Sequence, residues 1–271
     1  PLPPRPPAGS VNPPSHLAVD ATGRALLAAN YRDGYVASMR IQPDGTTDAP
    51  GTIPHEGRGP HPTRQEKPHP HSVTVSPDNR HVLVADLGLD RIFTYALDPA
   101  TARLAVVTSI ATAPGAGPRH AAFSPDGRQV YVINELAGTL SRYDYDPAGG
   151  TLRHRQTVPT LPAGFTGENL AAEVRVHPNG RFVYGSNRGH DSLAAFAVDA
   201  ATGALTPLGH TPSGGRTPRN FALSPDGRWL VCGHQDTPLV TVFRVDPATG
   251  QLTRTPAAAA VPAVVCVLFH S

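Results

Sequence analysis

The chain has 271 residues and a mass of 28.4 kDa, and its 39% hydrophobic content is enough for a buried core, which excludes disorder for most of its length. Its 31 prolines and 26 glycines interrupt the apolar runs, so long helices are excluded and short strands joined by turns are expected. The net charge of +2 comes from scattered residues and excludes a nucleic-acid binder, and the most apolar segment, 257–269, is too short to span a membrane.

Residues 1–14 are rich in proline and start with neither Met nor a signal-like apolar segment. We expect them to form a poorly ordered lead-in, and residues 15–271 to form a single domain. Cys232 and Cys266 lie among apolar neighbours and match no disulfide or zinc pattern, so both are predicted to be buried free thiols. This cysteine usage favours a reducing compartment, and a cytoplasmic location is predicted.

A turn motif recurs along the chain and divides it into copies of one unit. Each copy joins two apolar runs, such as 73–75 and 81–85, which is typical of a β-hairpin. The last residues of successive copies are 56, 48, 53 and 47 positions apart. The five copies are Asp20-Ala-Thr-Gly23, Ser76-Pro-Asp-Asn79, Ser124-Pro-Asp-Gly127, His177-Pro-Asn-Gly180 and Ser224-Pro-Asp-Gly227.

Two further strands follow the later hairpins. The third strands are expected at 91–97, 140–145, 193–198 and 240–245. The fourth strands are expected to begin near Leu104, Leu152, Leu205 and Leu252. Four meander-connected strands in each repeat of about 40 to 50 residues predict an all-β fold, a β-propeller with four-stranded antiparallel blades, of which five are complete.

Two columns of the repeat carry unlike polar residues, which packing does not dictate, and they are therefore candidates for function. Eight residues before each turn-ending residue lie Ser15, His71, Arg119, Ala172 and Arg219. Eight residues after it lie Tyr31, Leu87, Glu135, Arg188 and Gln235. The two strands of a hairpin are antiparallel, so both columns reach one end of the blade, and with the first strand innermost they ring one mouth of the central channel.

The charged members of these columns predict a site for an anionic substrate. They are His71, Arg119, Glu135, Arg188 and Arg219. Arginine binds carboxylate or phosphate through two hydrogen bonds, and His and Glu transfer protons. The alternative is that the arginines form rim ion pairs with Asp86, Asp90, Glu173 or Asp191.

A metal site is the other alternative at this mouth. His69 and His71 form a His-x-His pair beside His61, but no acidic residue completes a ligand set, so no metal is predicted. His120 follows Arg119 on the same strand and is expected to point the other way, into a hydrogen-bonded wall.

The chain resembles the seven-bladed lactonase propellers, which include bacterial 6-phosphogluconolactonases of the propeller type and the fungal 3-carboxy-cis,cis-muconate lactonizing enzyme. The matching stretches run in order along nearly the whole chain. They include Ala29-Asn-Tyr31, Pro68-His-Pro-His-Ser72, Gly117-Pro-Arg-His120, Asn134-Glu-Leu136, Ala171-Ala-Glu173, Ser186-Asn-Arg-Gly189 and Val265-Cys-Val-Leu-Phe269.

The resemblance implies roles for individual residues and no cofactor. The implied catalytic residues are His71, Arg119, Glu135 and Arg188, with Arg219 as a competing candidate for the last role. The substrate-binding candidates are Arg219, His69, His120 and Glu173.

The departure from the family lies at the front of the chain. Five complete repeats stand against the family's seven blades, so two N-terminal blades are expected to be absent. Residues Val264 to Phe269 are expected to be the strand that closes the ring in the family. An open ring would expose strand edges and favour self-association.

Three functions fit these residues. The leading hypothesis is hydrolysis of a sugar lactone such as 6-phosphogluconolactone, with Glu135 or His71 as the general base and with arginines that bind the anion and stabilise the oxyanion. The second is a lactonizing cycloisomerase that acts on 3-carboxy-cis,cis-muconate with the same residues. The third is a non-catalytic propeller that binds an anionic ligand or acidic peptide. The expected partner is a small anionic lactone or carboxylate, with no nucleic acid and no membrane.

Overall fold

The computed structural model describes residues 12–269, which form five four-stranded antiparallel sheets and no helix. The first sheet contains β1 (His16–Val19), β2 (Ala25–Asn30), β3 (Tyr35–Arg40) and β4 (Gly51–Pro54). The second contains β5 (Pro70–Val75), β6 (His81–Asp86), β7 (Arg91–Asp98) and β8 (Arg103–Ala111). The third contains β9 (Pro118–Phe123), β10 (Gln129–Asn134), β11 (Thr139–Asp146) and β12 (Thr151–Pro159).

The last two sheets follow the same order. The fourth contains β13 (Leu170–Val176), β14 (Phe182–Arg188), β15 (Ser192–Val198) and β16 (Leu205–Pro212). The fifth contains β17 (Pro218–Leu223), β18 (Trp229–His234), β19 (Val240–Val245) and β20 (Leu252–Ala259). Strands pair in chain order within every sheet, so the predicted four-stranded meander units are confirmed.

The recurring turn motif closes the first hairpin of each sheet through its own side chains. In the third sheet, Ser124 Oγ accepts a hydrogen bond from the backbone N–H of Gln129 (2.9 Å) and donates to Asp126 (2.6 Å). Gly127 ends the turn at φ 68°, a left-handed conformation that glycine adopts without steric cost. Asn79 takes the same position in the second sheet at φ 60°, and Asn tolerates this region better than most residues.

The sheets are arranged radially, with the first strand of each sheet innermost. β1 contacts β5, β5 contacts β9, β9 contacts β13 and β13 contacts β17. Apolar clusters fill the space between neighbouring sheets, as where Leu83 and Ile92 of the second sheet pack against Val130 and Val132 of the third. This arrangement confirms the propeller architecture and turns one end of every innermost strand toward a common channel mouth.

The first and fifth sheets differ from the others because no apolar cluster joins them within residues 12–269. Leu17 and Val19 alternate with the inward-facing Ala18 on β1, and each is 53% exposed. The ring formed by the described residues is therefore open between these two sheets. The prediction of a single domain over residues 15–271 stays a prediction.

The prediction of a closing strand at Val264–Phe269 is wrong, because β20 ends at Ala259 and no strand follows it in the described chain. The segment contacts the end of β18, where the Val264 N–H donates to the His234 carbonyl (3.2 Å), and then a side chain of β17, where the Val267 N–H donates to Asn220 Oδ1 (2.7 Å). The segment therefore crosses the fifth sheet and does not pair with an edge strand of it.

The same path explains why the prediction for Cys266 is also wrong. Val264 and Val267 pack over Gly233, where a Cβ atom would clash with a Val264 methyl group. Cys266 lies between these two contacts and is exposed, whereas Cys232 is buried as predicted. Residues 1–11 of the predicted lead-in lie outside the described residues. Within residues 12–269, no helix is long and apolar enough to cross a membrane.

Candidate active site

A β-bulge places each candidate side chain of the first column. The register between β9 and β10 shifts where Ile133 pairs with His120 and Asn134 pairs with Pro118. The shift leaves Arg119 of β9 without a partner residue on β10. Register shifts at the equivalent positions of the second and fifth sheets leave His71 of β5 and Arg219 of β17 without partner residues. A bulge re-aims the side chain of its extra residue, so these three side chains turn toward the channel mouth.

Glu135 lies at the centre of the site, directly after β10, and is 2% exposed. Its Oε2 atom is 2.9 Å from Arg119 Nε and 2.7 Å from Arg188 Nη2, and its Oε1 atom pairs with Arg64. Burial favours the neutral acid, but the charges of Arg188 and Arg119 outweigh it and hold the pKa of Glu135 below its ordinary value. Glu135 is therefore an anion that gathers arginines from separate parts of the chain.

Backbone carbonyl groups fix two of these arginines. Arg119 donates from Nη1 to the carbonyl of Ala172 (2.7 Å), and Arg188 donates to the carbonyls of Leu170 and Ala171 (both 3.1 Å). Burial lowers the pKa of Arg119 to about 9, so it remains a cation at neutral pH. These bonds leave Arg119 Nη2 and Arg188 Nη1 without a protein partner in the described chain.

His71 is buried beside the ion pairs, and its Nδ1 atom has no hydrogen-bond partner among residues 12–269. Burial, and then the charges of Arg119 and His120, lower its pKa well below the ordinary value. The ring centroid lies 5.2 Å from that of His120 in an edge-on arrangement. His71 is therefore a neutral imidazole; neither ring nitrogen has a hydrogen-bond partner among residues 12–269, and only Nδ1 is sealed from solvent.

His120 and Glu173 form the wall behind His71. His120 Nε2 is 3.2 Å from Arg119 Nη1, and His120 Nδ1 is 3.1 Å from a Glu173 carboxylate oxygen. A guanidinium can only donate, so Nε2 accepts and Nδ1 carries the proton that is donated to Glu173. The expected wall is observed, but the bulge brings His120 into contact with Arg119, so simple alternation along the strand is not followed.

The remaining predicted residues lie further out. Arg219 is half-buried, and the structure gives its guanidinium no hydrogen-bond or ion-pair partner within residues 12–269. Burial, and then the nearby charge of Arg188, lower its pKa. The His69 ring stacks on Tyr31 at 4.2 Å, and its two nitrogens contact the Tyr31 carbonyl (2.7 Å) and Glu66 (3.2 Å). His69 thus supports Tyr31 at the rim.

Arg64 was not predicted, because it belongs to the 55–69 connection and lies outside the repeating hairpin columns. The available signal is the length of that connection, since long loops in compact domains are commonly functional. The 55–69 connection has 15 residues and is the longest segment between two sheets in the described chain.

The connection that carries Arg64 is anchored at two points. Gln65 is fully buried and donates from Nε2 to the carbonyl of Leu87 (2.8 Å) and to Asp90 Oδ1 (2.7 Å). His55 lies with Nδ1 2.6 Å from Asp86 Oδ2 and Nε2 2.7 Å from the Tyr95 hydroxyl.

Asp86 and Asp90 therefore hold the loop, and Asp191 accepts hydrogen bonds from backbone N–H groups. Glu173 contacts His120, Asn220 and Arg175. The rim ion pairs considered as an alternative for Arg119 and Arg188 are not formed, because both arginines pair with Glu135.

Replacing Gln65 by Leu is expected to destabilise the protein by about 2 kcal/mol, because it leaves a buried carbonyl and the Asp90 carboxylate without their amide donor. Urea unfolding followed by circular dichroism measures this change. The exposed Gln251→Leu variant is the control, and equal unfolding free energies for the two variants would contradict the anchoring role.

Folding stability is expected to fall below neutral pH. Burial is the largest cause that lowers the pKa values of His16, His71 and His120, with His16 at about 4. An unfolded histidine titrates near 6.5, so below that pH the unfolded chain binds more protons than the folded one. The stabilisation is complete above about pH 6.5 and declines toward pH 4, by about 1.4 kcal/mol per pH unit for each histidine that stays neutral. Urea unfolding at about pH 7.5 and about pH 5 measures the decline, and equal free energies at both would contradict it.

Within residues 12–269, no group of three or more His, Cys, Asp or Glu side chains could hold a metal ion. Two cavities open on the outer strands of the first sheet, and their linings include Arg40 and Arg103 but none of the site residues. The channel mouth is therefore the place where charged and proton-carrying groups converge.

Comparison with known proteins identifies similar chains. A family model described as a lactonase with a seven-bladed β-propeller matches residues 6–269. A 6-phosphogluconolactonase of Bacillus subtilis is 38% identical over 257 residues, which cover 94% of this chain and 73% of the relative. A 6-phosphogluconolactonase of Pectobacterium carotovorum is 37% identical over 78% of this chain and 60% of its own length.

A solved structure is also similar to this chain in fold. The periplasmic gluconolactonase of Pseudomonas aeruginosa superposes with a TM-score of 0.87 at 35% identity, over 93% of this chain and 72% of that one. The chain thus spans between about three fifths and three quarters of the length of these similar proteins.

Proposed function

Because the chain belongs to the family of seven-bladed β-propeller lactonases, we propose that it hydrolyses a sugar-derived lactone, with 6-phosphogluconolactone as the substrate. One observation carries the proposal: the buried anion Glu135 orients Arg119 and Arg188 beside a neutral His71 whose ring nitrogens have no hydrogen-bond partner among residues 12–269. The names of the Bacillus subtilis and Pectobacterium carotovorum relatives support this choice of lactone.

The reaction needs a base for water and hydrogen-bond donors for the carbonyl oxygen. In the proposed mechanism His71 removes a proton from water as the water oxygen attacks the lactone carbonyl. The unpartnered N–H groups of Arg119 Nη2 and Arg188 Nη1 donate to the developing oxyanion. The carbon–oxygen bond of the ring then breaks, and the protonated His71 returns the proton to the leaving oxygen.

We assign the role of base to His71 in preference to Glu135. The Glu135 pKa is lowered by the arginine charges, so its carboxylate is a weak base at neutral pH. Its proposed role is to hold Arg119 and Arg188 with their free N–H groups directed at the same point. His120 and Glu173 support Arg119 from behind.

Isotope incorporation and absorbance separate this proposal from the two alternatives. In ¹⁸O-labelled water, hydrolysis by the folded protein places one ¹⁸O in the carboxylate of 6-phosphogluconate, at a rate above the spontaneous one. A loss of absorbance from 3-carboxy-cis,cis-muconate without ¹⁸O uptake would instead identify a cycloisomerase. Binding of an anionic peptide with no turnover of either compound would identify a binding module.

Location and assembly are proposed on separate grounds. A cytoplasmic location follows from two unpaired cysteines, although the Pseudomonas aeruginosa neighbour is described as periplasmic. Self-association follows from the exposed Leu17 and Val19 on the open side of the first sheet. Sedimentation of wild-type and Leu17→Asp proteins tests the second point, and a monomer at every wild-type concentration would contradict it.

A further inference from the structure

The channel mouth carries more positive than negative charge. Four guanidinium groups meet there, those of Arg64, Arg119, Arg188 and Arg219, and Glu135 is the carboxylate that pairs with the first three. The histidine beside them is neutral because its pKa is lowered. Asp236 also lies near Arg219, but its carboxylate accepts a hydrogen bond from Thr217. The uncompensated positive charge favours a ligand that carries two negative charges.

The four arginines divide into an inner and an outer pair. Arg119 and Arg188 are held by backbone carbonyls, and their side chains are 3% and 10% exposed. The Arg64 side chain is 30% exposed and contacts Glu135 and, at 3.5 Å, the Tyr31 hydroxyl. The outer pair, Arg64 and Arg219, therefore has N–H donors that no backbone group occupies.

The position of Arg64 allows its side chain to move while its backbone stays fixed. The adjacent Gln65 is fully buried and hydrogen-bonded to the second sheet. If Arg64 leaves Glu135, the carboxylate still has Arg119 and Arg188 as partners. The exchange therefore uncovers no unpaired buried charge, which would otherwise be costly.

We propose that Arg64 and Arg219 form the subsite for the phosphate ester of the substrate, and that Arg64 leaves Glu135 Oε1 to bind it. The inference rests on the proposed function, because it assigns the phosphorylated end of the same substrate. Each guanidinium presents two parallel N–H donors to phosphate oxygens, and the inner pair remains at the lactone carbonyl. The outer pair thus determines the preference for a phosphorylated over an unphosphorylated sugar lactone.

Ligand binding tests the subsite without requiring turnover. Titration calorimetry of the whole chain with 6-phosphogluconate, gluconate and inorganic phosphate is expected to show that Arg64→Gln and Arg219→Gln each weaken 6-phosphogluconate binding at least about tenfold. Binding of gluconate is expected to change less than about twofold, since it lacks the phosphate. The control Arg58→Gln removes an exposed arginine from the connection that carries Arg64, and the control Arg216→Gln removes one from the connection just before β17, which carries Arg219. Both are expected to leave all three affinities unchanged.

The outcomes separate this inference from the proposed function. Equal weakening of 6-phosphogluconate and gluconate, or no weakening of either, would overturn the subsite. A wild-type protein that binds gluconate as tightly as 6-phosphogluconate would overturn it as well. Arginine-dependent binding of 6-phosphogluconate by a protein that hydrolyses no lactone would support the subsite and reject the proposed function.

Discussion

Arg119→Ala is expected to lower kcat/KM for 6-phosphogluconolactone by about 30- to 1,000-fold, equivalent to a loss of about 2 to 4 kcal/mol of transition-state stabilisation. The substitution removes the N–H group proposed to face the oxyanion and one of the partners of Glu135. It also leaves the Ala172 carbonyl and His120 Nε2 without their donor. Initial rates of proton release at constant pH measure the effect.

Two further variants separate catalysis from folding. Arg119→Lys keeps the positive charge but loses the planar fork, so we expect a folded protein with most of the catalytic loss. Arg128→Ala removes an exposed arginine from the turn at the opposite end of the same sheet and is expected to keep the wild-type rate. A folded Arg119→Ala protein with an unchanged rate would refute the assignment of Arg119.

His71→Asn is expected to lower kcat by about 100- to 10,000-fold, the range for removal of a general base, and to change the affinity for 6-phosphogluconate little. The reason is that Nε2 of His71, which has no hydrogen-bond partner among residues 12–269 and is not sealed from solvent as Nδ1 is, is the group proposed to take the proton of water. Because the pKa of His71 is lowered, wild-type kcat/KM should stay constant as the pH is lowered and should decline only below about pH 6.5.

The pH profiles of matched variants decide which group is the base. The fall of kcat/KM at acidic pH is expected to be absent from the residual activity of His71→Asn. It is expected to remain in His154→Asn, a control that replaces an exposed histidine. Glu135→Gln is expected to lower stability and activity, because the arginines lose their shared anion. If the decline persisted in His71→Asn and vanished in Glu135→Gln, Glu135 would be the base.

The fold and the inner part of the site were predictable because the chain repeats one unit. The same turn chemistry recurs in every sheet, so a column of the repeat is also a ring of positions in space. This is why the convergence of five side chains is predictable from the sequence; they are His71, Arg119, Glu135, Arg188 and Arg219. Their convergence depends on antiparallel pairing and on innermost first strands, and the structure has both.

Features outside the repeat could not be predicted in this way. Arg64 belongs to a connection whose path depends on Gln65 and His55, two buried polar side chains with partners distant in sequence. The contact between His120 and Arg119 requires a bulge, which residue alternation does not reveal. The closing strand was inferred from the family's ring, and the described chain provides no edge with which Val264–Phe269 pairs.

Proton release from fresh 6-phosphogluconolactone at constant pH, with and without the folded wild-type chain, tests the central claim most directly. Circular dichroism first confirms the β structure of the sample. We expect release above the spontaneous rate, in proportion to protein concentration, and almost none of this excess with Arg119→Ala. Release at the spontaneous rate from a folded wild-type protein would contradict the claim that this channel mouth is a lactone-hydrolysing site.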